Sequence, residues 1–303
     1  MSSKTTVRIA LDWTPNTIHS GLFIAAAKGL YNDAGLDVQL LSPDESYSET
    51  PAKRLEKGDV ELAVCPSESC IAYAKSGRMK LQAIYAILQR DASAIASTKL
   101  SRVSELGDGK VYGSYNARYE DRIVQAMVAK DGGNADGVKI ESQTGKHSLF
   151  DAVKKGEIDA TWVFMPWEGV EAEEEGTGLH AFRMAGYGIP YGYSPVIARN
   201  ASVSGLSEES LRKFVKATSQ GYAIAVKDAQ AAVEALVARC NPKRSEEFLS
   251  KSQASINEFY SDGSTLGTMS EEKWKTWVNW LAAQGLMKSD GLSLENLFTN
   301  DFH

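Results

Sequence analysis

The chain has 303 residues, 43% of them hydrophobic and 24% charged, with 33 Lys and Arg against 39 Asp and Glu for a formal charge of −6. That hydrophobic content can bury one large core or two modest ones, which argues against a disordered chain. An acidic balance without a basic block gives no electrostatic reason to bind nucleic acid or an acidic membrane surface, and no run approaches the ~20 apolar residues of a membrane helix, so the expected partner is a small molecule.

Hydrophobic periodicity reads residues 6–11 as a strand, 20–28 as a helix and 37–41, after Gly35, as a second strand. A helix over 51–57, a strand over 62–65 and a helix over 67–75, entered through Pro66-Ser67, repeat the pattern. A strand over 81–88 follows, and 94–97 is expected to cross out of the first lobe. In the next stretch 110–113, 138–142 and 160–164 read as strands, while 119–130, 148–155 and the acidic 168–175 read as helices. Residues 194–199 read as a returning strand. Beyond Ser207 the pattern is helical, with Leu211, Phe214, Val215, Thr218 and Tyr222 at three- and four-residue spacing and further helices over 228–239, 245–255 and 270–284. The expected architecture is α/β: lobe 1 from 1–95 plus 195–303, lobe 2 from 96–194, joined by two crossing strands, with ligand bound at strand ends facing a cleft.

Three cysteines, Cys65, Cys70 and Cys240, cannot all pair in one molecule and lack zinc-type spacing, so they are expected to be reduced thiols. The histidines, at 19, 147, 180 and 303, show no metal-ligand spacing, and no metal is expected. The opening MSSKTTVRIALDW holds no uninterrupted apolar region of a signal peptide, which makes the cytoplasm the expected location.

The run LDWTPNTIHSGLFIAAAKGLYNDAGLDVQL, with VELAVCPSESCIAYAKSG, IDATWVFMPWEGVEAEEEG and YGIPYGYSPVIARN, resembles the family of fungal hydroxymethylpyrimidine phosphate synthases and bacterial formylaminopyrimidine-binding proteins. The resemblance implies a periplasmic-binding-protein type II fold and a cleft for a thiamine-related aminopyrimidine. It also implies, for the synthases, chemistry that consumes pyridoxal phosphate and an active-site histidine, with iron. Where those enzymes carry the lysine and the reacting histidine, this chain has Cys65 and Ser69, and AGYGIPYGYSPVIA stands without a thiol where they have a cysteine-rich stretch. Neither a thiol nor a hydroxyl forms the lysine imine or supplies an imidazole. The expectation is therefore a binding protein that needs no cofactor, with a pyrimidine-supplying enzyme using pyridoxal phosphate and iron as the alternative and its catalytic residues unassigned.

An aminopyrimidine is flat, accepts at two ring nitrogens and donates from its amine, so aromatic walls and a carboxylate or amide suit it. Trp13 and Trp167 are expected to stack on it, and Asn16 and Glu168 to hydrogen-bond with it. His19 is a further candidate at the same turn, against a structural role. Ser67 and Glu68 start a helix and suit a polar or anionic group, against a plain cap. Ser114 and Tyr115 lie on a turn that can cradle a phosphate, with Arg118 near, against a tight βα turn. Trp162 adds to the aromatic wall and Tyr191 belongs to a glycine-rich loop that can cover a ligand. Glu171 to Glu175 read as a solvated face, and Trp274, Trp277 and Trp280 as an amphipathic helix on lobe 1. Whether the ligand carries a phosphate is open at this level.

Overall fold

Val7, Ile9 and Ala10 are buried along β1 (Thr5–Ala10), so the first apolar run forms a strand whose C-terminal end is covered on both faces. The computed structural model describes residues 4–44, 47–143, 148–263, 265–288 and 290–303. His147 lies outside them. The chain divides into unit 1, Met1–Asp91 with Gly192–Asn279 and Lys288–His303, and unit 2, Ala92–Tyr191 with Trp280–Met287.

In unit 1, β1 leads into α1 (Ser20–Ala27), the short α2 (Leu30–Asp33) and β2 (Leu36–Leu41). Then come α3 (Pro51–Lys57), β3 (Leu62–Cys65), α4 (Ser67–Ser76) and β4 (Leu81–Ala86). Thr50 caps α3 ahead of a proline at its first position, where a missing N–H costs nothing, and the helix begins where the sequence places it. In unit 2 follow β5 (Ser93–Ser97), β6 (Val111–Ser114), α5 (Glu120–Lys130), β7 (Lys139–Ser142), α6 (Leu149–Lys155), β8 (Ala160–Phe164), α7 (Val170–Glu174) and β9 (His180–Phe182). The chain returns to unit 1 as β10 (Val196–Asn200) and continues into α8 (Glu208–Lys227), α9 (Ala229–Leu236), α10 (Glu246–Tyr260) and α11 (Glu271–Ala283). Ser207, Asp228 and Ser245 cap α8, α9 and α10 through their side-chain oxygens.

Each unit holds a five-stranded mixed sheet, ordered β2-β1-β3-β10-β4 in unit 1 and β7-β6-β8-β5-β9 in unit 2. β1 runs parallel to β2 and β3, while β10 is antiparallel to β3 and β4. In unit 2, β6 runs parallel to β7 and β8, and β5 is antiparallel to β8 and β9. The two segments expected to cross are thus interior strands of different sheets, β5 in unit 2 and β10 in unit 1: β5 is buried along its length, and Val196 to Ala198 of β10 are buried too. β9 escapes the sequence reading because it has three residues, two of them exposed, and so shows no period. β4 ends at Ala86, earlier than the apolar run implies, because Ile87 donates to Pro195 O at 3.1 Å and Gln89 to Phe259 O at 2.7 Å instead of extending a ladder. The free edge of β4 is closed by the C-terminal segment, where Ala83 N donates to Leu297 O at 2.8 Å and Thr299 N to Ala83 O at 2.9 Å.

α1 and α8 pack so closely that a Cβ at Gly221 would lie 2.0 Å from Gly21 O. Trp274 and Trp277 are buried on the inner face of α11, and Trp274 stacks on Phe298 at 5.5 Å. All three cysteines are buried and unbridged, and burial pushes the Cys240 thiol up to about 11. Ellman's reagent should therefore titrate the native protein slowly and reveal three thiols once it is unfolded; rapid native labelling of any one contradicts this packing.

Candidate functional site

At the end of β1 the ladder stops with Leu11 N donating to Leu41 O at 2.9 Å, and the chain turns through Asp12 to Asn16. Asn16 shapes the turn: its Oδ1 accepts from Ile18 N at 2.8 Å and its Nδ2 donates to Thr14 O at 2.9 Å. Asn16 N donates to His19 Nδ1 at 3.4 Å, so the ring proton lies on Nε2, which donates to Asp12 Oδ1 at 2.8 Å. His19 is 0% exposed. In this structure the polar atoms of Asn16 and His19, both expected at the ligand, bond to local backbone groups and to Asp12. His19 holds Asp12, and Asn16 holds the backbone of the turn.

The turn is also clamped from behind. Tyr222 OH donates to Ile18 O at 2.8 Å, Tyr260 OH donates to Thr17 O, and Thr17 Oγ1 meets Ser252 Oγ at 2.8 Å. Sequence reasoning reads Tyr222 as core and passes over Ser252 and Tyr260; nothing local marks them, since their partner lies more than 200 positions away. Trp13 is 36% exposed and its ring lies 4.6 Å from that of Tyr47, another residue the sequence does not single out.

The neighbouring strand end carries Cys65, Ser67 and Glu68. Ser67 N donates to Tyr193 O at 2.9 Å and Ser67 Oγ donates to Glu68 Oε2 at 3.3 Å, so the helix start is tied to the segment after Tyr191. Gly192 is required there, because a Cβ would come within 2.5 Å of both Ser67 Oγ and the Trp277 ring. Glu68 is 2% exposed. A hydrogen bond with Cys70 and burial, with the charges of Asp12 and Glu68 adding to them, hold the Cys65 thiol well above the usual range. Cys65 and Ser69 do not fit a pyridoxal phosphate imine at this turn. Among the described residues no group of three or more His, Cys, Asp and Glu is placed to hold a metal ion, so the iron site of the alternative reading also finds no fit.

In unit 2 the turn after β6 is built on Glu120, which accepts from Tyr112 OH at 2.7 Å, Tyr115 N at 3.1 Å and Ala117 N at 2.9 Å. Ser114 Oγ donates to Asp121 at 2.7 Å and accepts from Asn116 N at 3.1 Å. At the turn where Ser114 and Tyr115 were expected to cradle a phosphate, the backbone donors bond to the protein's own oxygens. Tyr115 OH accepts from Leu149 N at 3.3 Å, and its phenol is pushed up by burial and by the charge of Glu168.

Pro166 cannot extend β8, and Met165 to Gly169 form a π-turn before α7, where the sequence predicts a helix from 168. Glu168 Oε2 accepts from Phe164 N at 2.9 Å, fixing the carboxylate beside Tyr115. Trp162 and Tyr191 are half-buried with ring centroids 5.4 Å apart, and Trp167 is half-buried on the π-turn. The acidic run is only partly a solvated face, since Lys154 binds Glu171 at 2.7 Å and Glu175 at 3.0 Å.

Two α/β units of matching strand order, each with its aromatic and carboxylate residues at strand ends, define a periplasmic-binding-protein-like fold. A solved structure from Bordetella bronchiseptica RB50 is similar over 99% of this chain and 96% of its own, with a TM-score of 0.76 and 17% identity. A Candida albicans gene product described as exhibiting the generic periplasmic binding protein structural fold is similar over 97% and 96%, with a TM-score of 0.69 and 15% identity. The chain belongs to the NMT1/THI5-like family, whose model matches residues 16–232. A relative named formylaminopyrimidine-binding protein, from Halalkalibacterium halodurans, is 23% identical over 92% of this chain and 85% of its own length.

Proposed function

We propose that this chain is a binding protein for a thiamine-related aminopyrimidine. The observation that carries the reading is a part-exposed indole next to a carboxylate on the turn after a strand in each unit: Trp13 beside Asp12 after β1 in unit 1, and Trp167 beside Glu168 after β8 in unit 2, with Trp162 on β8 itself. Indole faces suit a planar heteroaromatic ring, and carboxylate oxygens accept from its exocyclic amine. The relative named for formylaminopyrimidine binding supports the same class. Cys65 and Ser69 disfavour the enzyme reading, because neither group supplies the imine or the imidazole.

The test is a thermal-shift panel with formylaminopyrimidine, hydroxymethylpyrimidine, thiamine and pyridoxal phosphate. A ligand at about 100 times its dissociation constant stabilises by ~2.7 kcal/mol, so a binder will stand out, and silence from every aminopyrimidine would refute the reading. Trp13→Ala and Trp167→Ala should each weaken the best aminopyrimidine about tenfold, as loss of a stacking ring does, without changing the unliganded melting temperature by more than about 2 °C. An unchanged affinity in either variant removes that indole from the site. A visible band from pyridoxal phosphate that borohydride fixes to a lysine would favour the enzyme instead.

A further inference from the structure

Arg199 lies near the end of β10 beside Leu62, the first residue of β3, whereas Val196 at the other end of β10 lies beside Cys65. A cavity of about 700 Å³ sits at the Arg199 end, away from the turns that carry Asp12 and Ser67, and every residue lining it belongs to unit 1. Its apolar lining comes from Leu55 on α3, Val60 before β3 and Leu211 on α8, all buried, with Val203 60% exposed in the loop between β10 and α8. That volume and that mixed lining suit a small organic molecule. Five charged side chains line the cavity, and four of them are paired: Glu56 with Arg78, Lys57 with Glu49, Glu61 with Arg8 and Glu208 with Arg212. Arg199 forms no ion pair among the described residues; Gln82 Oε1 accepts from its Nε at 3.0 Å and its Nη2 at 2.9 Å, and the guanidinium lies 4.9 Å from the centre of the Phe302 ring. One neutral oxygen thus takes the Nε side of the fork and leaves the Nη1 side, whose parallel N–H groups match the two oxygens of a carboxylate. Burial lowers the guanidinium pKa from its ordinary value although the charges of Glu208 and Asp301 act the other way, so the protein's own carboxylates do not offset the lost hydration.

We infer that this cavity is a second ligand site, for a small organic carboxylate whose acid group pairs with Arg199 and whose apolar body packs against Leu55, Val60 and Leu211. It is separate from the proposed aminopyrimidine site and stands whether or not that site binds a pyrimidine. Calorimetric titration of the wild-type chain with hexanoate and hexanamide, and with inorganic phosphate as competitor, tests it. Hexanoate should bind at least about tenfold more tightly than hexanamide, which has the same shape without the charge, and phosphate should not displace it. Arg199→Gln should weaken hexanoate by about tenfold or more. Val203→Asp, at an exposed position whose substitution leaves the core untouched, should weaken it about fivefold through the added negative charge. Hexanoate that fails to bind at millimolar concentration, hexanamide that binds as tightly, displacement by phosphate, or undiminished hexanoate binding in either variant overturns the inference.

Discussion

Replacing Gly221 with alanine is expected to destabilise the protein by about 3 kcal/mol, despite a helix-propensity gain of roughly 1 kcal/mol. The added Cβ would lie 2.0 Å from Gly21 O and 3.0 Å from the Ala25 Cβ, and the first of these is backbone that cannot rotate away. α1 and α8 must separate, and the strain runs directly to the site. Tyr222, the next residue of α8, donates to Ile18 O at 2.8 Å and so holds the turn that positions Asp12 and Trp13. Urea unfolding followed by tryptophan fluorescence should show a lower midpoint at unchanged slope, together with weaker binding of whichever aminopyrimidine the wild type prefers. A midpoint at or above wild type would mean that the two helices do not meet at these glycines.

Removing the Glu120 side chain should cost a similar amount. Glu120→Ala strands the Tyr112 hydroxyl and the Tyr115 and Ala117 amides, each worth roughly 1–3 kcal/mol when left buried without a partner, and relaxation of the turn limits the total to about 3 kcal/mol. The turn leans on this carboxylate because Asn116 and Tyr119 hold φ of 59° and 65°, left-handed values that non-glycine residues adopt only when tied down. Burial raises the Glu120 carboxyl above its ordinary value, although its three donors act in the opposite direction. A carboxyl whose pKa rises on folding holds its proton more tightly in the native state. Its contribution to stability is greatest below the unfolded-chain pKa and falls as pH climbs toward the folded value, the reverse of a salt-bridged carboxylate. Glu120→Gln removes this titration, so its deficit against wild type should shrink with rising pH across that window. A deficit that instead grows with pH would show that the native carboxylate is held ionised by its donors.

How far the sequence carries can be judged residue by residue. Thr50 before Pro51, and the serines at 207 and 245, begin their helices where expected, because a cap and its amide lie within three residues of each other. Trp13, Trp167 and Glu168 are part-exposed on the turns that follow their strands, and Trp162 is part-exposed within β8. Asn16, His19, Ser114 and Tyr115 come from turns of the same kind, and their polar atoms bond to Asp12, Asp121, Leu149 and nearby backbone. Composition and turn chemistry marked both sets alike, since a polar residue in a βα turn has the same signature whether it faces a ligand or its own loop.

The chain's own order of residues thus determined the alternation of strand and helix, the caps, the α/β class and the family. Each follows from periodicity and from neighbours a few positions apart. Only the tertiary structure decided that β10 inserts between β3 and β4 and β5 between β8 and β9, that Ser252 and Tyr260 brace a turn far away in sequence, and that Glu120 fills the cradle its own turn creates. Those outcomes depend on which backbone edge or hydrogen-bond donor packing brings within 3 Å, and that distance is set by the folded core rather than by any local run of residues.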